Sequence, residues 1–127
     1  MFKKYVGKEE DFQRAIKQYL ETKKVLWFHP PNEIKANVAY LKKRSSLGVK
    51  SGIADVIILE PRGMYHGLFI ELKVGYNKPS PSQNSFLEES LKRNYLAKWT
   101  NSLDEAIYII DQYLDTIPQK DHTPYLN

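Results

Sequence analysis

The chain has 127 residues, a length that favours one domain large enough to bury its own core. It is 42% hydrophobic and 27% charged, and it has no cysteine, which excludes disulfides and cysteine-bound zinc and fits a reducing compartment. The net charge is a modest +4, no apolar run could span a bilayer, and the first residues lack the apolar core of a signal peptide, so we expect a soluble cytoplasmic protein.

The first predicted element is a helix at residues 9–20. Its apolar residues recur at helical spacing and are Phe12, Ile16, Tyr19 and Leu20. Projection places Glu9 on this apolar face and Glu10 on the polar face, so Glu9 is the acid that would face a site inside the fold. An acid in the first turn also stabilises a helix dipole without any further role, and this alternative stays open.

A short strand is predicted from Val25 to His29, where Pro30 and Pro31 end it. Residues 35–50 allow a short helix followed by a flexible loop. The segment from 35 to 54 carries basic residues and no acidic one; the basic residues are Lys35, Lys42, Lys43, Arg44 and Lys50. Such a segment suits an anionic polymer, although a solvated loop of lysines is the commoner explanation when the run is taken alone.

Two apolar runs, residues 53–59 and 68–74, predict an antiparallel hairpin across a turn-rich segment. Asp55 begins the first strand, and Glu71 and Lys73 share one face of the second because strand residues alternate sides. Charges at an apolar sheet are costly to bury unless they bind a metal ion or take part in chemistry. A same-face ion pair between Glu71 and Lys73 is the alternative.

The segment Ser80-Pro81-Ser82-Gln83 predicts a helix start with a capping box, and Gln83 lies on the apolar stripe of that helix. A strand at residues 95–99 and a second capping box at residues 102–105 lead to a last helix that ends near Leu114. The residues expected to be buried there are Leu103, Ala106, Ile107, Ile110 and Leu114. The domain should therefore span residues 1–115, with an irregular tail at 116–127.

These elements predict an α/β fold of three layers, in which helices flank a mixed sheet of about four strands. The strand after a crossover helix should run parallel to its neighbour, whereas the hairpin is antiparallel. His29, His66 and His122 are isolated in the sequence, without the spacing of zinc ligands on a helix, so zinc hydrolase chemistry is not expected.

In chain order, Glu9, Asp55, Glu71-Leu72-Lys73 and Gln83 resemble the PD-(D/E)xK nuclease superfamily. The chain is more closely similar to the VRR-NUC family, stand-alone phage or bacterial type. The segments that carry this likeness are Pro31-Asn32-Glu33, the Gly48–Asp55 loop, Phe69 to Lys73, Ser82-Gln83 with Phe86-Leu87, and Asp104-Glu105-Ala106. The superfamily often has proline before the aspartate, where this chain has Ala54, but that proline supplies no ligand.

The resemblance implies a restriction-endonuclease-like fold and a deoxyribonuclease that depends on Mg²⁺ or Mn²⁺, hard ions that prefer oxygen ligands. The implied ligands are Asp55, Glu71, the backbone carbonyl of Leu72 and, directly or through water, Glu9. Lys73 would stabilise charge at the attacking water or the scissile phosphate, and Gln83 would orient Lys73 or the phosphate.

Stand-alone members of the family resemble phage-encoded enzymes that resolve branched DNA, which implies a branched substrate such as a four-way (Holliday) junction. The near two-fold symmetry of such a junction favours a homodimer with two sites. Candidate phosphate contacts are Lys35, Lys42, Lys43, Arg44 and Lys50. The alternatives are a non-catalytic nucleic-acid-binding module of the same fold and a restriction or end-processing nuclease.

Overall fold

The computed structural model describes residues 1–31 and 37–118. The helices and strands in these ranges are α1 (Glu9–Glu21), β1 (Trp27–Phe28), α2 (Val38–Ser46), β2 (Val56–Ile58), β3 (Leu68–Leu72), α3 (Pro81–Lys92), β4 (Leu96–Thr100) and α4 (Leu103–Leu114). The strands form one sheet in the order β1-β2-β3-β4. The hairpin of β2 and β3 is antiparallel and β4 runs parallel to β3, which confirms both predictions and the mixed α/β fold.

Helices α1 and α4 cover one face of the sheet and enclose the hydrophobic core. In α1 the buried residues Phe12, Ile16 and Leu20 recur every four positions, and alternate residues of β2 and β3 point towards them. The buried face predicted for α4 was partly wrong. Ile109 and Tyr113 are buried, whereas Ile107, which was predicted to be buried, is only half-buried. The other residues predicted for this stripe, Leu103, Ala106, Ile110 and Leu114, are buried or pack against the core.

Helix α3 covers the opposite face and connects β3 to β4, which is why these two strands can run parallel. Its start is the predicted capping box. The Ser80 hydroxyl accepts a hydrogen bond from the Gln83 amide, and the Gln83 side chain accepts one from the Ser80 amide. Phe86 stacks on Phe69 of β3, with ring centroids 5.6 Å apart. The helix is therefore fixed at its first turn and along its apolar stripe, and this holds Gln83 over the sheet.

Helix α2 differs from the other helices, because none of its residues is buried. Its start is capped by the side chain of Asn37, which accepts a hydrogen bond from the amide of Tyr40. Strand β1 is shorter than predicted, and residues 119–127 of the predicted tail lie outside the described residues. Within residues 1–31 and 37–118, no helix has the length and apolar character needed to cross a membrane.

Candidate active site

The two strand carboxylates lie side by side. The register pairs Val56 with Ile70, so Asp55 and Glu71 occupy the next opposed positions and face the same side of the sheet. Both are buried, with 6% of Asp55 and 2% of Glu71 exposed. The Asp55 Oδ2 atom accepts a hydrogen bond of 2.9 Å from the backbone amide of Leu72, which fixes the carboxylate against β3. The predicted convergence of Asp55 and Glu71 is therefore present in the structure.

Two further side chains predicted for the site contact Glu71 directly. Its Oε2 atom accepts a hydrogen bond of 2.9 Å from Gln83 Nε2 and lies 3.2 Å from Lys73 Nζ. The Gln83 Oε1 atom accepts the Ser80 amide at 2.8 Å, so the capping box directs the amide NH₂ group of Gln83 towards Glu71. The same-face ion pair considered as an alternative is present, but it satisfies only one of the two Glu71 oxygens.

The other oxygen of Glu71, Oε1, is buried and has no hydrogen-bond partner. Burial and, second to it, the nearby charge of Asp55 raise the pKa of Glu71 to about 8 against the opposing effect of Lys73. When Glu71 loses its proton beside Asp55, Oε1 becomes a buried site of negative charge, because Lys73 and Gln83 contact only Oε2. A hard divalent cation with oxygen ligands would satisfy it, so the residues present fit Mg²⁺ or Mn²⁺.

The carboxylates open into a first cleft of about 570 Å³. Its walls come from α1, α2, the loop before β2, and the start of α3; they include Glu9, Leu41, Arg44, Lys50, Gly52 and Gln83. A second cleft of about 450 Å³ lies beside it, lined by Gly7, Glu9, Leu72, Lys73, Val74, Asn77 and Lys78. Glu9 lines both clefts, so the clefts adjoin at the first turn of α1, with Glu71 in one and Lys73 in the other.

The structure places Glu9 at the rim of the site rather than among its buried carboxylates. Glu9 is solvent-exposed, as expected for the first residue of α1. In the part of the chain that the structure describes, no three His, Cys, Asp or Glu side chains gather closely enough to hold a metal ion. The carboxylate cluster is thus a pair, and a contribution from Glu9 through water stays a prediction, as does the Leu72 carbonyl ligand.

The predicted phosphate contacts occupy different positions. Arg44 and Lys50 line the first cleft, whereas Lys42 and Lys43 are exposed on α2. Lys35 lies outside the described residues, as do Asn32 and Glu33. Two of the five candidates therefore lie beside the carboxylate pair, and binding of DNA by any of them stays a prediction.

Sequence reasoning missed the role of His29. Its Nδ1 atom donates a hydrogen bond of 2.6 Å to the backbone carbonyl of Asp55 and so supports the segment that carries the first carboxylate. The contact depends on β1 lying beside β2, with Phe28 opposite Ile57. No sequence spacing indicates this pairing, because the two residues are far apart in the chain and β1 is very short.

Gly52 is a second residue whose role appears only in the structure. It has a φ of +80°, and a Cβ atom at this position would lie 2.7 Å from the backbone of Ser82 in the first turn of α3. The loop before Asp55 therefore contacts the helix start that carries Gln83 more closely than any other residue type allows. A glycine shortly before a strand was a signal that could have suggested such a close approach.

No protein-family model and no curated protein matches the chain. Among solved structures, the chain is similar to one described as a VRR_NUC domain protein, with 28% sequence identity and a TM-score of 0.70. The match covers 90% of this chain and 98% of the other. This likeness over almost the whole chain confirms the resemblance to the VRR-NUC family that the ordered site residues predicted.

Proposed function

We propose that the chain is a deoxyribonuclease that uses Mg²⁺ or Mn²⁺ to hydrolyse phosphodiester bonds, with a preference for branched DNA. The observation that carries the proposal is the buried pair of Asp55 and Glu71, in which Glu71 Oε1 has no hydrogen-bond partner. The likeness to a VRR_NUC domain protein supports a nuclease over other metal-dependent functions. A binding module without catalysis would gain nothing from two buried acids facing an anionic polymer, because they would repel it.

The residues that would hold the ion are Asp55, Glu71 and the Leu72 carbonyl, with Glu9 acting through water. When bound, the ion would neutralise charge on the phosphate and make its bound water more acidic. The chain's own contribution begins with Lys73, whose Nζ atom is 3.2 Å from Glu71 Oε2 and which lines the second cleft. Its ammonium can contact a phosphate oxygen there and stabilise negative charge that develops during hydrolysis.

Gln83 would act by holding the carboxylate of Glu71 in one orientation. Its amide oxygen is held by the Ser80 amide and its NH₂ group by Glu71, so it cannot rotate without breaking a hydrogen bond. This keeps Glu71 Oε2 directed towards Lys73 and leaves Oε1 directed away from both donors. We expect the loss of Gln83 to reduce the rate without abolishing it, since Asp55, Glu71 and Lys73 remain.

The preference for branched DNA rests on the family resemblance, together with the cations beside the carboxylates. Arg44 and Lys50 lie on the α2 side of Glu71, and Lys73 and Lys78 lie in the second cleft. A strand crossing the carboxylate pair would meet positive charge on both sides. Resolution of a four-way junction needs two cuts, so we also propose a homodimer, to be tested by sedimentation with and without junction DNA.

The test is cleavage of four oligonucleotide substrates, namely a four-way junction, a flap, a linear duplex and a single strand. Each is incubated with Mg²⁺, with Mn²⁺ and with a chelator. We expect cutting only with a divalent ion, fastest on the junction, and a loss of at least about 10³-fold in Asp55→Asn and Lys73→Ala. Asp115→Asn is the matched control, because Asp115 is exposed at the end of α4.

Two results would contradict the proposal. One is that the wild type cuts none of the four substrates with either ion. The other is that Asp55→Asn cuts as fast as Asp115→Asn. If all duplex substrates are cut at the same rate, the protein is a nuclease, but it has no preference for branched DNA.

A further inference from the structure

The loop that follows β3 carries an aromatic side chain turned towards solvent. Tyr76 is 88% exposed, more than any other aromatic residue in the described part of the chain. Its neighbour Asn77 lines the second cleft together with Lys73 and Lys78. Tyr76 itself does not line the cleft, but it is the residue before two that do, and an exposed aromatic ring beside lysines is the combination that proteins use to hold single-stranded nucleic acid.

This loop is held in place at several points. The amide of Gly75 donates to the carbonyl of Tyr5 at 2.9 Å, and the Asn101 side chain donates to the carbonyl of Gly75 at 3.0 Å. The Nζ atom of Lys4 lies 3.3 Å from the centroid of the Tyr76 ring, so one face of the ring is in contact with a cation. The ring is therefore pre-positioned while most of its surface stays accessible.

The position of Tyr76 relative to the cleavage site is limited by the chain. Tyr76 is three positions after Lys73, so their Cα atoms are at most about 11 Å apart, a distance that about three stacked nucleotides cover. A base near the phosphate at Lys73 can thus reach the Tyr76 ring. Lys78 lines the same cleft as Lys73, so it can contact a flanking phosphate of the same strand.

We propose that the second cleft binds single-stranded DNA beside the cut, with an unpaired base stacked on Tyr76 and a flanking phosphate on Lys78. A base inside a continuous duplex already has both faces stacked and cannot use the ring, whereas a branch point or gap supplies free bases. The subsite thus gives a physical basis for a preference for branched DNA. The inference rests on the proposed function for the location of the cut, but its test measures binding alone.

The test compares binding of two DNA molecules in a chelator, so that no cleavage occurs. One is a continuous duplex, and the other is the same duplex with a short single-stranded gap that carries 2-aminopurine. The variants are Tyr76→Ala, Tyr76→Phe and, as the matched control, Tyr108→Ala, because Tyr108 is a 51% exposed tyrosine on α4 that lines a separate pocket with Phe2 and Lys98. Thermal unfolding verifies that each variant is folded.

We expect Tyr76→Ala to bind the gapped DNA about tenfold more weakly and the duplex within about twofold of the wild type. Tyr76→Phe keeps the ring and should bind both as the wild type does, as should Tyr108→Ala. Quenching of 2-aminopurine fluorescence should be retained in Tyr76→Phe and lost in Tyr76→Ala. Lys78→Ala should weaken both complexes and lower the salt slope by about one, because it removes a phosphate contact.

Unchanged affinity of Tyr76→Ala for gapped DNA would overturn the inference, and so would an equal loss on duplex and gapped DNA. These outcomes are distinct from failure of the proposed function. If the wild type cuts nothing but the Tyr76 variants behave as expected, the cleavage proposal fails and the subsite stands. If cleavage is normal and Tyr76→Ala binds as the wild type does, only the subsite fails.

Discussion

Replacing Glu71 with glutamine should stabilise the metal-free protein at alkaline pH. The folded state raises the pKa of Glu71 from an ordinary 4.5 to about 8, first through burial and then through the charge of Asp55. Between these pH values the folded protein keeps a proton that the unfolded chain has lost. The contribution of this carboxyl to stability is therefore complete below pH 4.5 and is lost as the pH rises towards 8.

Because of this pKa difference, the free energy of unfolding of the wild type falls by at most about 5 kcal/mol as the pH rises from below 4.5 to above 8. Glutamine removes that cost, in which the opposing effect of Lys73 is already included, but its neutral oxygen accepts a weaker hydrogen bond from Gln83 than a carboxylate does, which offsets about 2 kcal/mol. We therefore expect Glu71→Gln to be more stable than the wild type by about 1–3 kcal/mol at pH 8.5. At pH 5 the two proteins should agree within about 1 kcal/mol.

The assay is thermal or urea unfolding in a chelator at pH 5 and at pH 8.5. For a domain of this size, each kcal/mol corresponds to about 3–5 °C in Tm. The matched control is Glu88→Gln, the same chemical change at an exposed position of α3, which should not alter the pH dependence. Addition of Mg²⁺ at pH 8.5 should raise the Tm of the wild type and leave that of Glu71→Gln unchanged.

A wild-type stability in chelator that is constant from pH 5 to pH 8.5 would show that Glu71 does not have a raised pKa in the folded protein. A Glu71→Gln variant that is less stable than the wild type at pH 8.5 would show the same. Either result would mean that the buried carboxylate is compensated in the folded protein by a group other than a metal ion.

Three further predictions concern the support of the site and its charge. His29→Ala should weaken Mg²⁺ binding by about tenfold in calorimetry. His29→Asn retains a hydrogen-bond donor and should recover most of that loss. Equal Mg²⁺ affinities in the wild type and both variants would exclude a positioning role for His29. Gly52→Ala should destabilise the protein by about 1–3 kcal/mol more than Gly48→Ala in urea unfolding. Both glycines have a positive φ, but only Gly52 lies close to the backbone of α3. Equal losses of stability in the two variants would count against this contact. Arg44→Ala should lower the slope of log affinity against log salt by about one, and Lys98→Ala on β4 should not; an unchanged slope for Arg44→Ala would remove it from the DNA contacts.

The sequence predicted those parts of the site that depend on residues close together in the chain. Alternation along β3 places Glu71 on a definite face, and the capping box places Gln83 in the first turn of α3. The hairpin register then brings Asp55 opposite Glu71, because two apolar strands joined by a turn have few other ways to pair. Sequence patterns could therefore predict the carboxylate pair and its amide partner.

The parts that the sequence could not predict depend on packing between distant segments. His29 reaches Asp55 only because β1 pairs with β2, and a two-residue strand carries almost no periodic signal. Glu9 has the right helical face, but the distance of the first turn of α1 from the sheet follows from how α1 packs on α4 and β3. The exposed position of Tyr76 likewise follows from the contacts of its loop with the first residues of the chain.

The double use of Gln83 restricts which residue can occupy its position. A capping box accepts glutamate or glutamine, so helix formation alone would tolerate either residue. Glutamate here would bring a third negative charge to within hydrogen-bond distance of Glu71 Oε2, where Gln83 now donates. The helix start accepts either residue, but the buried carboxylate accepts only the amide, so glutamine alone meets both requirements. One side chain thus links the folding of α3 to the ionisation of Glu71 in the sheet.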